Sequence, residues 1–309
     1  MMKRLALAVL VVCLGLALAT PASAADPDQL VFVFQKQKDP TKIKDASAKV
    51  AEVLSEALGM PVKTVVPTDY GATVQALVSK KADIAYVSSI PFLLARRDAG
   101  ATLLLAEQRT DAAGTPRTDY DSVFVARKDS KLDSIDDIVK HAKDTRMCFT
   151  STTSTSGYVM AYRRLVNEGL LKPGQNPGDV FKSAVFGGSY TLALEQVLDG
   201  RADLCAVSFY TVEGDTATKY LSQDQLDQLK IVARTPGVPT HLVCAREGLS
   251  DSLKARITEA LLTLSNDHPD LLADVYGAKA LVKVEEDAHI ATAIEAMKYL
   301  GLPVEDFAK

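Results

Sequence analysis

The sequence predicts an α/β protein of two lobes, each built on a mostly parallel sheet flanked by helices. Three observations lead to this fold class. The chain has 309 residues, of which 47% are hydrophobic and 24% charged, enough for two globular cores. Short apolar, β-favouring runs alternate with segments of helical periodicity. That alternation stops near residue 110 and starts again near residue 120.

The first series alternates strands and helices up to about residue 106. Strands are predicted at 30–34, 62–66, 83–87 and 102–106, and helices at 40–58, 70–80 and 91–98. Gly59 ends the first helix, since glycine readily adopts the left-handed conformation of a helix C-cap. Strands separated by helices form parallel sheets that are covered on both faces.

The second series follows the same scheme. Strands are predicted at 122–127, 147–150, 183–186 and 203–207, with helices at 134–142, 156–168 and 191–198 between them. Short strands at 230–233 and 241–245 precede three helical segments from residue 251 onward. Extended segments near 120–127 and 235–245 are the predicted crossings between the lobes. The predicted lobes are therefore 25–123 and 124–239, with 240–309 returning to the first lobe.

The N-terminus has the pattern of a secretory signal peptide. A basic head with Lys3 and Arg4 precedes 15 apolar residues at 5–19, and Ala22-Ser23-Ala24 has the small residues of a cleavage site. The apolar run is short for a membrane span. We therefore expect cleavage after residue 24 and a mature protein in the periplasm.

The net charge argues against a nucleic-acid partner, and the cysteine content argues against a disulfide-rich scaffold. Loss of residues 1–24 leaves 33 basic and 39 acidic residues, a net charge of −6, with no Lys/Arg cluster to attract nucleic acid. Cys148, Cys205 and Cys244 lie in apolar runs and are expected to pack as small hydrophobic residues. One bridge, for example between Cys205 and Cys244 if they are neighbours, stays open.

No enzyme or metal signature stands out in the chain. The four histidines, His141, His241, His268 and His289, have no metal-ligand spacing, and the common nucleophile and phosphate-loop motifs are missing. A serine hydrolase would need a positioned base beside Ser154 or Ser156, which no nearby motif supplies. The prediction is a binding protein without catalytic residues, metal or cofactor.

The most informative segment is a run of six hydroxyl residues at 151–156, followed by Gly157. It lies between a predicted buried strand and a predicted helix. Hydroxyls cap helix N-termini, and the free N–H groups and positive dipole end of a helix suit an oxyanion. Gly157 would let the backbone approach that anion closely. The alternative is simple capping, for which one or two hydroxyls suffice.

Several motifs occur in the order found in one family. The set consists of Ser154-Thr155-Ser156-Gly157, Thr68-Asp69-Tyr70, Lys81-Ala82-Asp83-Ile84-Ala85-Tyr86, the hinge-like strand at 120–125, Phe186-Gly187-Gly188-Ser189 and Asp199-Gly200-Arg201-Ala202-Asp203. Together they resemble the phosphonate/phosphite solute-binding proteins of ABC transporters, the PhnD-type branch of the periplasmic binding proteins. The resemblance covers residues 30 to 260.

This resemblance implies a type II two-lobe fold that closes on its ligand. Carried over by position, Ser154, Thr155 and Ser156 would hold the oxyanion, and Tyr70 would reach it from the other lobe. The full set of predicted ligand-binding residues is Tyr70, Ser88, Ser89, Tyr120, Ser154, Thr155, Ser156, Gly157, Tyr190 and Tyr210.

Departures from the family pattern narrow the range of ligands predicted for this protein. Ser88-Ser89 replaces a Gly-Pro pair, and Tyr190 replaces a histidine. Tyr210 and Thr240 are the nearest positions to the acids that hold the ammonium group of an aminoalkylphosphonate. A buried ammonium without a carboxylate is unfavourable, so 2-aminoethylphosphonate is disfavoured.

The expected ligand is a small tetrahedral oxyanion, and the expected partner is an ABC permease. Phosphite, phosphate, an alkylphosphonate, arsenate and arsenite all stay open, because they differ only in fine geometry and protonation. An oxyanion sensor of the arsenate or arsenite type that signals to a membrane histidine kinase is the alternative function. A monomer is expected.

Overall fold

The computed structural model describes residues 26–111 and 114–302 and contains two β-sheets with helices packed on them. The predicted α/β fold of two lobes is confirmed. The signal peptide predicted at 1–24 lies outside the described residues. Within those residues, no helix is both long enough and apolar enough to cross a bilayer.

The first sheet has seven strands in the order β12-β4-β11-β3-β1-β2, with β5 paired to β4. Their bounds are β1 Leu30–Phe34, β2 Val62–Val65, β3 Ile84–Val87, β4 Thr102–Thr110, β5 Pro116–Arg117, β11 Leu242–Ala245 and β12 Ala280–Val282.

The second sheet has five strands in the order β10-β6-β9-β7-β8. Their bounds are β6 Asp119–Arg127, β7 Arg146–Phe149, β8 Ser183–Phe186, β9 Leu204–Ser208 and β10 Leu229–Pro239.

Ten α-helices lie in the described part of the chain. They are α1 Pro40–Leu58, α2 Tyr70–Val78, α3 Ser89–Ala99, α4 Ile135–His141, α5 Ala161–Asn167, α6 Tyr190–Leu198, α7 Gln223–Leu226, α8 Asp251–Asp267, α9 Pro269–Tyr276 and α10 Glu286–Met297. Local signals set the ends of α1: Asp39 caps the first turn, and Gly59 ends the helix at φ 64°.

The sheets are mixed, which differs from the mostly parallel sheets predicted for each lobe. Parallel pairing is confined to β1 with β2 and β3, and to β7 with β8 and β9. The strands beside the crossings pair antiparallel, as β4 does with β11 and β6 with β10. One strand of each pair runs toward the crossing and the other runs back from it, so the two must be antiparallel.

The chain changes sheet between β5 and β6 and again between β10 and β11. Because β6 begins at Asp119, the boundary predicted after residue 123 falls inside a strand of the second sheet. Strand β10 runs for 11 residues, whereas the sequence predicted a strand only at 230–233. Pro236 and Gly237 interrupt the apolar pattern there, and the structure absorbs them in a register shift between Thr235 and Val238.

The C-terminal helices do not all belong to the first lobe. Helices α8 and α9 pack on the first sheet, where Ile257, Leu261 and Tyr276 join Phe34 in one buried core. Helix α10 instead contacts β10 of the second sheet as well as α3 of the first. It therefore bridges the two lobes on the side of the crossings.

The hydroxyl-rich segment forms the start of a helix, as predicted, but its first turn is unusual. Residues Thr155–Met160 form a π-helical turn that continues directly into α5. Gly157 packs against Thr150 at this turn, and a Cβ atom added to Gly157 would lie 2.1 Å from Thr150 Oγ1. The glycine is needed for this internal contact.

We expect Gly157→Ala to destabilise the ligand-free protein by about 1–3 kcal/mol, since the added methyl group forces Thr150 or the turn to move. Urea unfolding measures this directly. Gly71→Ala is the matched control, because its Cβ would lie 3.3 Å from Asp69 Oδ1, a contact that a shift of a few tenths of an ångström relieves. Equal stability of the two variants would show that the turn tolerates a side chain.

The three cysteines of the described chain are free and buried. Cys148 and Cys205 are register partners on β7 and β9, whereas Cys244 lies on β11 of the other sheet. Cys205 and Cys244, considered above as a possible pair, are therefore not neighbours. Burial raises the pKa of Cys148 to about 11 and that of Cys244 to about 12, so both are protonated and unreactive near neutral pH.

Thiol titration of unreduced protein lacking residues 1–24 should find no rapidly reacting thiol in the folded state and three after denaturation. The Cys148→Ala variant should lower the denatured count to two. A count of one in the wild-type protein would contradict this prediction and indicate a Cys148–Cys205 disulfide.

Candidate functional site

Four helical segments begin around one point between the two sheets. Their first residues are Tyr70 of α2 and Ser89 of α3 in the first lobe, and Thr155 and Tyr190 of the π-helical turn and α6 in the second. N–H groups in the first turn of a helix lack intrahelical acceptors, and the dipole makes that end positive. Four such ends favour an anion between them.

Direct hydrogen bonds hold the lobes together at this point. The Ile90 N–H of α3 donates to Thr155 Oγ1 at 3.0 Å, and the Tyr190 N–H of α6 donates to the Gln37 carbonyl at 3.1 Å. The Thr155 hydroxyl accepts one bond here, so its own proton is free to donate. The structure is therefore closed around the predicted anion-binding turn.

Ser156 is the centre of a buried hydroxyl network. Its Oγ lies 2.7 Å from Ser208 Oγ, 2.9 Å from the Tyr190 hydroxyl and 3.5 Å from the Tyr120 hydroxyl. The Ser122 hydroxyl also donates to the Ser156 carbonyl at 2.7 Å. Ser156 is thus held in place by groups from β6, α6 and the end of β9.

Four buried polar atoms on the first-lobe side have no hydrogen-bond partner. They are the Gln35 Nε2, Gln37 Nε2, Tyr70 hydroxyl and Ser89 hydroxyl groups. All four can donate a hydrogen bond. A buried donor without a partner costs about 1–3 kcal/mol, so four of them around the same helix ends indicate a site for an acceptor-rich ligand.

The two glutamine amides are oriented by their oxygen atoms. Gln35 Oε1 accepts from the Ser88 N–H at 3.1 Å and from the Ser88 hydroxyl at 3.3 Å. Gln37 Oε1 accepts from the Tyr210 hydroxyl at 3.3 Å. Both NH₂ groups are consequently left without a hydrogen-bond partner, and the Gln35 side chain lies near the Tyr70 hydroxyl.

Two of the predicted ligand residues, Ser154 and Gly157, are hydrogen-bonded to each other inside the turn. Ser154 Oγ accepts from the Gly157 N–H at 3.1 Å as the helix N-cap. This leaves the N–H groups of Thr155 and Ser156, in the first turn, as the backbone donors that an anion could use. The remaining predicted residues all lie at these helix N-termini or contact residues that do. They are Tyr70, Ser88, Ser89, Tyr120, Tyr190 and Tyr210.

The site is rich in neutral donors. Burial raises the pKa values of Tyr70, Tyr120 and Tyr210 well above their usual range, so their hydroxyls stay protonated. The buried cation near them is Arg109, whose guanidinium lies 3.6 Å from the centre of the Tyr210 ring. Arg109 forms an ion pair with Glu107, so the pair adds no net charge.

The predicted set of ligand residues does not contain Gln35, Gln37, Ser208 or His241. Gln35 and Gln37 follow β1, and Ser208 is the last residue of β9. An open α/β sheet places its ligand at these strand ends, so their position was a signal for the cleft but not for the individual residues. Nothing in the local sequence distinguished His241, which only the packing of the two sheets brings to the cleft. Among residues 26–111 and 114–302, no group of three His, Cys, Asp or Glu side chains could hold a metal ion.

Comparison with known proteins gives the same family as the motifs. The model of the family described as "ABC transporter, phosphonate, periplasmic substrate-binding protein" matches residues 32–289. The phosphonates-binding periplasmic protein of Escherichia coli is 25% identical over 66% of this chain. That match spans 56% of the E. coli protein, just over half of its length.

A further relative comes from Prochlorococcus marinus, and its structure is solved. Its probable ABC transporter phosphite-binding protein PhnD1 is 26% identical over 75% of this chain and 76% of its own length. The solved structure of PhnD1 in complex with methylphosphonate has a TM-score of 0.75 and 21% identity, and it covers 89% of this chain and 99% of that one. The structural likeness supports the shared fold. Since the family model covers both lobes and the cleft between them, the chain belongs to the periplasmic substrate-binding proteins of phosphonate ABC transporters.

Proposed function

We propose that this protein captures a small tetrahedral oxyanion, of the phosphite, phosphate or phosphonate type, and delivers it to an ABC permease. The observation that carries the proposal is the set of four unpartnered, buried donors, Gln35 Nε2, Gln37 Nε2, Tyr70 OH and Ser89 Oγ. They lie on the first-lobe side of the cleft, which Ile90 and Gln37 join to the second lobe. The proposed location is the periplasm, after removal of residues 1–24, and the proposed form is a monomer.

Hydrogen-bonding capacity explains why an oxyanion suits this site. Its oxygens are acceptors, and the side chains around the cleft offer N–H and O–H donors from both lobes. Helix dipoles and uncharged donors stabilise a buried anion without a full counter-charge. A ligand with an ammonium group would need a carboxylate, but buried Glu107 is already paired with Arg109.

The proposed function involves no chemistry on the ligand. The neighbours of the Ser156 hydroxyl are the hydroxyls of Tyr190, Ser208 and Tyr120, none of which is a general base near neutral pH. The serine therefore lacks the histidine that activates the nucleophile of a serine hydrolase. Ser156 serves as a binding and structural group.

Closure of the lobes is part of the proposal. The bonds from Ile90 to Thr155 and from Tyr190 to Gln37 join the lobes beside the site, so they form only when the cleft is shut. A ligand that contacts both sides favours this state.

Small-angle scattering should therefore give a smaller radius of gyration with saturating ligand than without it. The ligand is first verified by calorimetry against phosphite, phosphate, methylphosphonate and arsenate. An unchanged radius under verified saturation would contradict closure by a hinge.

The Thr155→Ala and Ser156→Ala variants should each weaken binding about ten- to a hundredfold, because a hydrogen bond to a charged group contributes roughly 1.5–3 kcal/mol. The double variant should nearly abolish binding in calorimetry. Its ligand-free Tm should fall by several degrees, because loss of the Ser156 hydroxyl leaves the buried Tyr190 and Ser208 hydroxyls without this partner, so binding is compared well below that Tm.

Ser151→Ala is the matched control, since Ser151 lies at the end of β7 and its hydroxyl makes only a long 3.5 Å bond to the Thr153 N–H. It should bind within about threefold of the wild type. A double variant at Thr155 and Ser156 that retains wild-type affinity would place the site elsewhere.

A further inference from the structure

His241 lies at the cleft edge of the first sheet, immediately before β11. Its carbonyl accepts from the Glu107 N–H at 2.7 Å. It is one residue beyond the Leu242–Val87 pair, so it lies beside the end of β3, where Ser88 begins the approach to the site. The second crossing of the chain thus places an imidazole at the edge that carries the unpartnered donors.

The His241 side chain is fully buried, with 0% exposure, and neither ring nitrogen has a hydrogen-bond partner. A buried imidazole without partners is costly, as it is for the orphaned donors of Gln35, Tyr70 and Ser89. These donors and His241 belong to the same cleft, because the imidazole stacks on Tyr120 and lies beside Tyr210. His241 differs from the orphaned donors in one respect, because a neutral imidazole carries an acceptor nitrogen as well as a donor.

Titratable and charged groups from four neighbouring elements surround this imidazole. They are Glu107 and Arg109 of β4, Tyr120 of β6, Tyr210 after β9 and Tyr276 of α9. Tyr86 of β3 lies behind Glu107 and donates to it. The ring centroids of Tyr120, Tyr210 and Tyr276 lie 6.1, 6.4 and 6.1 Å from that of His241.

Glu107 is the acidic residue that faces one ring nitrogen of His241. Its Oε2 lies 3.8 Å from His241 Nδ1, and the carboxylate is held by Arg109 and by the Tyr86 hydroxyl at 2.9 Å. A carboxylate facing Nδ1 favours the tautomer protonated there. Burial, and secondarily Arg109, lower the pKa of His241 well below its usual value, so the ring is neutral and Nε2 keeps its lone pair.

We propose that His241 Nε2 accepts a hydrogen bond from a protonated oxygen of the bound oxyanion and thereby selects ligands that retain an O–H group. The inference rests on the proposed function. Hydrogen phosphite, hydrogen phosphate and the methylphosphonate monoanion carry such a group, whereas sulfate and sulfonates do not near neutral pH. A site built to pair with a hydroxyl rejects an analogue that lacks it, because its own polar group is left unpaired.

Methylphosphonate and methanesulfonate test this role, at a mildly acidic pH where both carry one negative charge. They have nearly the same shape, and only the first retains an O–H. The wild-type protein should prefer methylphosphonate by about ten- to a hundredfold in calorimetry. Equal affinity for the two would overturn the role of His241.

His241→Phe removes both nitrogens and keeps an aromatic ring among the tyrosines. It should lose about ten- to a hundredfold in affinity for methylphosphonate and change by less than about threefold for methanesulfonate, so that the preference disappears. His241→Gln, which restores an acceptor oxygen, should recover part of the preference. A His241→Phe variant that keeps the wild-type ratio would overturn the inference.

The pH profile of the wild-type protein tests the same point without a variant. Above the second pKa of methylphosphonate, its affinity should fall about tenfold for each pH unit, since only the protonated ligand binds. Methanesulfonate binding should be flat over the same range. Parallel profiles would overturn the role of His241 and leave the proposed function standing, whereas a wild-type protein that binds neither phosphite, phosphate nor methylphosphonate would overturn both.

Discussion

The hydrogen bond between the Ile90 N–H and Thr155 Oγ1 is the interaction on which the arrangement of the cleft depends. Its nitrogen and oxygen are 3.0 Å apart, and it joins the first turn of α3 to the first turn of the π-helical segment, so two positive helix ends face each other. Such ends repel unless something negative or strongly accepting lies between them. The Thr155 oxygen accepts one of the N–H groups at these ends, and the oxygens of a bound ligand would accept the others.

A second buried interaction, the ion pair of Arg109 with Glu107, sets the charge balance of the first lobe beside the cleft. Arg109 and Glu107 are both buried, and the pair brings a cation to the Tyr210 ring without adding net charge to the core. Such a pair costs desolvation energy that its hydrogen bonds must offset, and Arg109 donates to the Tyr276 carbonyl at 2.7 Å. A cation on the ring face makes the Tyr210 hydroxyl a better donor to Gln37. The pair therefore polarises the Tyr210 hydroxyl without adding net charge beside the cleft.

The two crossings contribute to the site as well as joining the lobes. Strand β6 carries Tyr120 and Ser122 to the Ser156 network, and the return crossing carries His241 to the edge of the first sheet. Residues at a hinge move least when lobes rotate about it. An acceptor beside the hinge, such as His241 Nε2, can therefore bind a protonated ligand oxygen while the donors farther from the hinge close over the ligand.

The sequence by itself determined the alternation of strands and helices, the two lobes, the family and the turn at Thr155 and Ser156. Those features depend on local patterns, namely apolar periodicity, helix caps and a hydroxyl run. Only the tertiary structure decided the mixed direction of the strands, the packing need for Gly157, and the convergence of Gln35, Gln37 and His241 on one point. These depend on contacts between residues that are far apart in the chain, where a single buried amide or imidazole leaves no periodic signal.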